Sequence, residues 1–155
     1  PGQVVLSGEL SACKRAAEMA GEFGAFSAVP LKVAGAFHSE LMRPAAEAFA
    51  GAVGEVKFSE PLVKVAGNVE AQYYAGSAEI PDRLTRQLVS PIRWQQSMEL
   101  LLADGADVFY EIGPSRVLAG LMRRIDRKVR VTCLNSRESL ERLRPQAARL
   151  AEAAG

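Results

Sequence analysis

With 155 residues, 48% of them hydrophobic, the chain has the length and composition of one ordinary globular domain, which excludes an intrinsically disordered protein. The net charge of +1 excludes a global field that would attract nucleic acid or a membrane surface, and no apolar run of about 18 residues predicts a transmembrane helix. One histidine and two distant cysteines, Cys13 and Cys133, argue against a disulfide framework and a metal site, and favour a cytoplasmic protein.

The first half of the chain predicts a β–α–β unit, a loop and a further helix. Residues 4–6 and 26–33 have the composition of strands, and the 3–4 spacing of apolar residues over 9–22 predicts the helix between them. A second helix is predicted to begin at Ser39 or Pro44 and to end at Val53, because proline is tolerated only near a helix start. Short strands are predicted at 56–58 and 62–66, followed by a turn at Gly67.

The second half predicts alternating helices and strands. A helix over 77–89 carries an apolar stripe, and Ser90 and Pro91 form a predicted cap and first residue for a helix over 91–104. A strand at 108–112, a helix from about 115 to 125 and a strand at 129–134 predict a parallel β–α–β unit. An alanine-rich helix is predicted over 138–154, and the pattern as a whole indicates the α/β class.

His38, the only histidine, is the first candidate for chemistry. It follows a predicted strand and a loop of small residues and precedes a helix, where catalytic side chains are often presented. Histidine is the natural general base for a serine or cysteine nucleophile. No Gly-x-Ser-x-Gly motif supplies that nucleophile, and both cysteines have the pattern of buried small hydrophobes. The residue pattern alone therefore leaves a merely packed or surface histidine open.

Two further features have alternative interpretations. Gly113-Pro114-Ser115-Arg116 after a strand resembles a phosphate-binding turn at a helix start, although an ordinary turn fits the same residues. The segment 116–130 contains six basic residues opposed by one acid, and we call them the basic ridge. The basic ridge consists of Arg116, Arg123, Arg124, Arg127, Lys128 and Arg130. It suits an acidic partner or phosphates, and equally a solvated helix face.

Four segments together resemble the C-terminal half of the malonyl-CoA:acyl-carrier-protein transacylase family. They are PGQVVLSG at 1–8, GAFHSELMRPA at 35–45, RQLVSPIRW at 86–94 and YEIGPSRVL at 110–118. They stand in the family's order and cover most of the chain to about residue 135; related acyltransferase domains of polyketide and fatty-acid synthases share the histidine motif. The resemblance implies that 1–33 is the second half of a ferredoxin-like small subdomain, and 34–155 the second half of an α/β-hydrolase-like large domain.

The resemblance also implies an activity and roles for named residues. The family transfers malonyl from coenzyme A to the phosphopantetheine thiol of acyl carrier protein through an acyl-serine intermediate, in fatty-acid biosynthesis, with malonyl-CoA as substrate and no bound cofactor. His38 would be the general base, and the main-chain carbonyl of Gln87 would orient its ring. Phe37 would narrow the acyl pocket and favour malonyl over methylmalonyl. The carrier-protein contacts expected in the basic ridge are Arg123, Arg124 and Arg116.

The chain also departs from the family pattern. The nucleophile elbow, the arginine that would pair with the malonyl carboxylate and the oxyanion-hole glutamine are missing, so we expect a fragment that is inactive alone and exposes apolar surface and sheet edges. Ser90, Ser115 and Gly67 replace the usual asparagine, glycine and asparagine. Two alternatives stay open: an acyltransferase fragment of a polyketide synthase, and a non-catalytic remnant that binds carrier protein. The oligomeric state is not predicted.

Overall fold

The computed structural model describes residues 1–143. Within these residues the chain divides into two compact units, 2–97 and 98–143. Both helices and strands occur, and the predicted α/β class is confirmed. The division at residue 33, which concerns the subdomains of the larger family fold, stays a prediction.

The first unit contains three complete α-helices, and they confirm the helices predicted there. They are α1 (Leu10–Met19), α2 (Arg43–Gly54) and α3 (Ile80–Gln87). Both α1 and α3 are shorter than predicted, and α2 ends one residue later. Single 3-10 turns, Glu40–Met42 and Ser77–Glu79, lead into α2 and α3. Each of these two helices has proline in its first turn, where the missing N–H of proline is not needed by the helix.

The strands predicted in the first unit are wrong. Residues 4–6, 26–33 and 56–58 form no strand, and 62–66 is reduced to one antiparallel bridge between Ala66 and Tyr73. Val4 is 82% exposed and Phe26 is fully exposed. A strand forms only when its N–H and C=O groups find a neighbouring strand, and among residues 1–143 these segments have none. Strand-like composition is therefore not sufficient here.

The fourth helix, α4 (Trp94–Ala103), begins later than predicted, so the cap assigned to Ser90 and Pro91 is wrong. The N–H of Arg93 donates to the Asn68 carbonyl at 2.8 Å, and the Arg93 carbonyl accepts from the Ser97 N–H at 3.0 Å. Arg93 is thus the residue at which the helical hydrogen bonds of α4 start. The bond to Asn68, distant in sequence, overrides the local signal of the Ser-Pro pair.

The second unit contains the predicted parallel β–α–β unit. Its elements are β1 (Val108–Ile112), α5 (Val117–Ile125) and β2 (Arg130–Leu134). The two strands pair in register from Val108 opposite Arg130 to Ile112 opposite Leu134. Gly113 has a φ of 146°, which favours glycine at the turn out of β1. Residues 137–143 are helical, and the remainder of the helix predicted over 138–154 lies outside the described residues.

Few apolar side chains are buried within residues 1–143. They are Ala46, Val53, Val69, Val89, Met98, Met122 and Leu134. Many large apolar side chains are exposed instead, including Leu62 and Ile112. None of the helices in the described part of the chain is long and apolar enough to cross a bilayer.

Candidate active site

His38 lies in the loop that precedes the 3-10 turn Glu40–Met42 and α2. Its φ of 68° is in the left-handed region, which for a residue other than glycine costs about 1–3 kcal/mol. Its backbone N–H donates to the Leu88 carbonyl at 2.9 Å, just beyond the end of α3. The side chain is half-buried. A hydrogen bond distant in sequence therefore holds this residue in a strained conformation.

The His38 ring forms a hydrogen bond with the carbonyl of Gln87, the residue that precedes Leu88. Nδ1 of His38 lies 2.8 Å from the Gln87 carbonyl oxygen. A carbonyl can only accept, so Nδ1 carries the proton and donates, and the lone pair of the neutral ring is on Nε2. This is the tautomer in which a histidine accepts a proton through Nε2.

The end of α3 explains why two successive carbonyls are available to His38. Leu88 N–H donates to the Thr85 carbonyl at 3.2 Å and Val89 N–H to the Arg86 carbonyl at 3.1 Å, so the last turn tightens into 3-10 bonds. The final carbonyls of a helix have no partner within it. Those of Gln87 and Leu88 accept from His38 instead.

A hairpin-like loop, residues 65–74, adjoins this helix end, and we call it the Asn68 hairpin. Tyr74 N–H donates to the Val65 carbonyl and Gly67 N–H to the Gln72 carbonyl, each at 2.9 Å. From its tip, Asn68 Nδ2 donates to the side-chain oxygen of Gln87 at 3.1 Å. The sequence by itself predicts only a turn here. Asparagine beside glycine indicates a turn but does not indicate the partner of its side chain.

Arginines on α3 attach the Asn68 hairpin to that helix. Arg83 lies over the Tyr74 ring at 4.7 Å from its centroid, donates to two hairpin carbonyls at 3.3 Å and pairs with Glu79 at 2.7 Å. Arg86 pairs with Glu70 of the hairpin at 2.7 Å. Burial raises the pKa of Tyr74, while the positive charge of Arg83 opposes that shift. The hairpin and α3 are thus joined by several independent contacts.

Phe37 is adjacent to His38 in space as well as in sequence. The two ring centroids are 6.5 Å apart and the ring planes are tilted by 52°. Phe37 is 43% exposed, so its ring presents apolar surface beside the imidazole. The Ser39 hydroxyl donates to the Ala36 carbonyl at 2.6 Å and closes the loop around these two residues.

The predicted carrier-protein contacts lie in the second unit, apart in sequence from the histidine loop. Arg116 precedes α5, and Arg123 and Arg124 lie in its last turn, where a positive charge is favourable to the helix dipole. All three are exposed. The structure therefore brings together His38, Gln87 and Phe37 in one unit, and the three arginines on and beside one helix of the other.

Glu111, for which no sequence motif predicts a role, has a buried carboxylate at the start of α5. It accepts the N–H groups of Ala119 at 2.8 Å and Leu118 at 3.1 Å. The Ser115 hydroxyl donates to it at 3.3 Å and the Cys133 thiol contacts it at 3.8 Å. The carboxylate thus occupies the N-terminal N–H groups of the helix, a position that favours negative charge.

These contacts decide the interpretation of Gly113-Pro114-Ser115-Arg116. Burial by itself would raise the pKa of Glu111, but the hydrogen bonds from the helix N–H groups, the hydroxyl and the thiol hold that pKa below its usual range. A phosphate would meet an ionised carboxylate there, so the ordinary turn is correct and the phosphate-binding turn is wrong. Within residues 1–143, no group of three or more histidine, cysteine or acidic side chains could hold a metal ion.

No family model matches the chain. It is 40% identical over 141 residues, 91% of its length, to the malonyl CoA-acyl carrier protein transacylase of Bacillus subtilis, and covers 44% of that protein. It is 42% identical over 125 residues, 81% of its length, to the transacylase of that name from Haemophilus influenzae, and covers 40% of it. The chain thus spans less than half the length of these curated relatives.

Solved structures give the same result. The crystal structure of MCAT from Streptococcus pneumoniae matches 88% of this chain with a TM-score of 0.81 and 36% identity, over 44% of its own length. A malonyl-transacylase in complex with a type II PKS acyl-carrier protein matches 86% of this chain with a TM-score of 0.82 and 35% identity, over 43% of its length. The resemblance to the transacylase family that the four motifs indicated is confirmed.

Proposed function

We propose that this chain supplies the general base of a malonyl-CoA:acyl-carrier-protein S-malonyltransferase, and that it acts with the nucleophile-bearing part of such an enzyme. The observation that carries the proposal is the 2.8 Å contact between His38 Nδ1 and the Gln87 carbonyl. This contact occurs in a chain that is 40% identical to a malonyl CoA-acyl carrier protein transacylase.

The proposed reaction uses His38 Nε2 twice. In the first half-reaction Nε2 accepts the proton of a serine hydroxyl while the oxygen attacks the thioester of malonyl-CoA, and the proton leaves with the coenzyme A thiol. In the second, Nε2 accepts the proton of the phosphopantetheine thiol, which attacks the acyl-serine, and returns it to the serine. The Gln87 carbonyl keeps the ring in the required tautomer and stabilises the imidazolium without a formal charge.

Phe37 and the basic ridge are proposed to contact the two substrates. The Phe37 ring, half-exposed beside the imidazole, would narrow the site against the extra methyl group of methylmalonyl. Arg116, Arg123 and Arg124 would contact the acidic surface of acyl carrier protein. The proposed enzyme uses malonyl-CoA as substrate without a bound cofactor, in the cytoplasm.

The proposed pathway is fatty-acid biosynthesis. One similar transacylase was solved with a type II PKS acyl-carrier protein, which makes polyketide biosynthesis the second candidate for the same reaction. A transfer assay with carrier proteins of both kinds separates the two pathways, because each predicts a higher kcat/KM for its own carrier.

The test of the base assignment is His38→Ala in the protein expressed from its complete coding sequence. Malonyl transfer to acyl carrier protein, followed by intact mass, is expected to fall by about 10²–10⁴-fold. The matched control is Glu22→Gln, which changes an exposed carboxylate of the same unit and should leave transfer unchanged. Transfer by His38→Ala at the wild-type rate would contradict the proposal.

A further inference from the structure

Asn68 bonds to the chain on both sides of the Gln87–Arg93 segment. Its Nδ2 donates to the Gln87 side-chain oxygen at 3.1 Å, and its backbone carbonyl accepts from the Arg93 N–H at 2.8 Å. Between these two points the carbonyls of Gln87 and Leu88 accept both hydrogen bonds of His38. One residue of the hairpin therefore holds both ends of the segment that positions the imidazole.

The end of α3 requires such an outside attachment. Gln87 is its last residue, and the chain leaves it through 3-10 bonds of 3.2 and 3.1 Å, the poorer geometry at which helix ends fray. The Asn68 hairpin can provide that attachment because Arg83 and Arg86 already fix it to the preceding turns of α3. The side chain of Asn68 thus starts from a fixed backbone.

We propose that Asn68 is a positioning residue for His38. By holding the Gln87 side chain, it keeps the Gln87 carbonyl opposite Nδ1, and so keeps the imidazole in the Nδ1–H form with Nε2 as the acceptor. The inference rests on the proposed function, since it extends the role of His38 as general base. A residue that only forms the turn would affect stability, whereas a positioning residue also changes the tautomer of His38.

The full chain allows a direct test because it contains a single histidine. Nitrogen-15 NMR of the neutral ring reports the ratio of the Nδ1–H to the Nε2–H tautomer without ambiguity of assignment. In Asn68→Ala the ratio of the Nδ1–H to the Nε2–H tautomer is expected to fall about fivefold. This is the change in an equilibrium that corresponds to the loss of one hydrogen bond of average strength. The matched control is Gln72→Ala, which removes an exposed amide from the same hairpin and should leave the ratio unchanged.

A second variant reaches the same contact from the other side. Gln87→Ala removes the side-chain oxygen that Asn68 holds but keeps the main-chain carbonyl, so it should lower the tautomer ratio as Asn68→Ala does. The double variant should lower it no further, because both changes remove one interaction. This variant also keeps the test decisive if Asn68→Ala fails to fold.

The wild-type tautomer ratio in a folded Asn68→Ala or Gln87→Ala chain would overturn the proposal, as would an equal fall in Gln72→Ala.

In the protein from the complete coding sequence, Asn68→Ala should lower kcat and leave KM unchanged. The reason is that the proposed role of His38 is proton transfer in the transition state and not binding of the ground-state substrate. The two proposals fail separately. An active His38→Ala variant contradicts the base assignment, while an unchanged tautomer ratio contradicts only the role of Asn68.

Discussion

The strain at His38 is informative at the scale of the residue. Its φ of 68° is unfavourable for a side chain that bears a Cβ, and two hydrogen bonds to successive carbonyls, those of Gln87 and Leu88, hold it there. Histidine is enriched in this region compared with bulkier residues. The hydrogen bond at Nδ1 leaves the lone pair on Nε2. The carbonyls at the end of α3 therefore hold both the strained backbone of His38 and the tautomer of its ring.

The position of Phe37 predicts a change in acyl selectivity. In the protein from the complete coding sequence, Phe37→Ser should lower the ratio of kcat/KM for malonyl-CoA over methylmalonyl-CoA by about 10–200-fold, the range that one methyl group accounts for. The reason is that serine removes the ring lying 6.5 Å from the imidazole centroid. Competition between the two thioesters measures the ratio. Glu22→Gln, an exposed carboxylate, is the control, and an unchanged ratio in Phe37→Ser would rule out the pocket role.

At the scale of the element, the helices and the β1–α5–β2 unit were predictable from the sequence because their signals are local. Apolar spacing, proline in the first turn and alternation with strands are all within a few residues of the elements they define. The strands predicted at 4–6 and 26–33 do not form. A local sequence pattern cannot predict this, because strand formation depends on partners distant in sequence. The start of α4 and the contact of Asn68 with Gln87 also depend on such partners.

The Glu111 carboxylate predicts how the stability of the β–α–β unit depends on pH. The pKa of Glu111 is lowered in the folded chain. The carboxylate therefore stabilises the folded chain fully above the ordinary pKa of 4.5, and this stabilisation is lost as the pH falls through the lowered pKa. Glu111→Gln should therefore lower the urea midpoint at pH 7, and the difference from the wild type should shrink as the pH approaches 3.

The measurement is a series of urea unfolding curves by circular dichroism between pH 7 and pH 3. The lowered pKa of Glu60, caused by the hydroxyl and N–H of Ser77, affects the wild type and the variant equally and cancels in the difference. Glu22→Gln, an exposed carboxylate, is the control and should match the wild type throughout. A difference between Glu111→Gln and the wild type that stays constant with pH would show that burial, and not charge, gives Glu111 its effect.

At the scale of the whole molecule, two kinds of surface correspond to two proposed partners. Val4, Val5 and Leu6 expose 64% or more of their surface and, within residues 1–143, pair with no strand. In the proposed enzyme, strands of the nucleophile-bearing part would cover such segments. The basic ridge is instead a charged surface on a chain of net charge +1, and in the proposed enzyme it would provide a local field for an acidic carrier protein.

The basic ridge predicts salt-dependent binding of carrier protein. Arg123→Ala should weaken the binding of acyl carrier protein about 1.4- to fivefold at low salt, the range of an exposed ion pair. The difference should disappear near 1 M salt, where the Debye length is about 3 Å. Isothermal titration at two salt concentrations measures it. Arg15→Ala on α1 is the control, and a weakening of equal size in both variants would exclude a specific role for the basic ridge.

The most direct test of His38 as the general base joins this chain to the segment of the Bacillus subtilis transacylase that lies outside the matched 44% of that protein. We predict that the folded chimera transfers malonyl from coenzyme A to acyl carrier protein, and that His38→Ala in the chimera lowers this transfer by at least about 100-fold. The midpoint of thermal unfolding of the two chimeras confirms that both are folded. An active chimera whose His38→Ala variant transfers malonyl at the same rate would contradict the assignment of His38 as the general base.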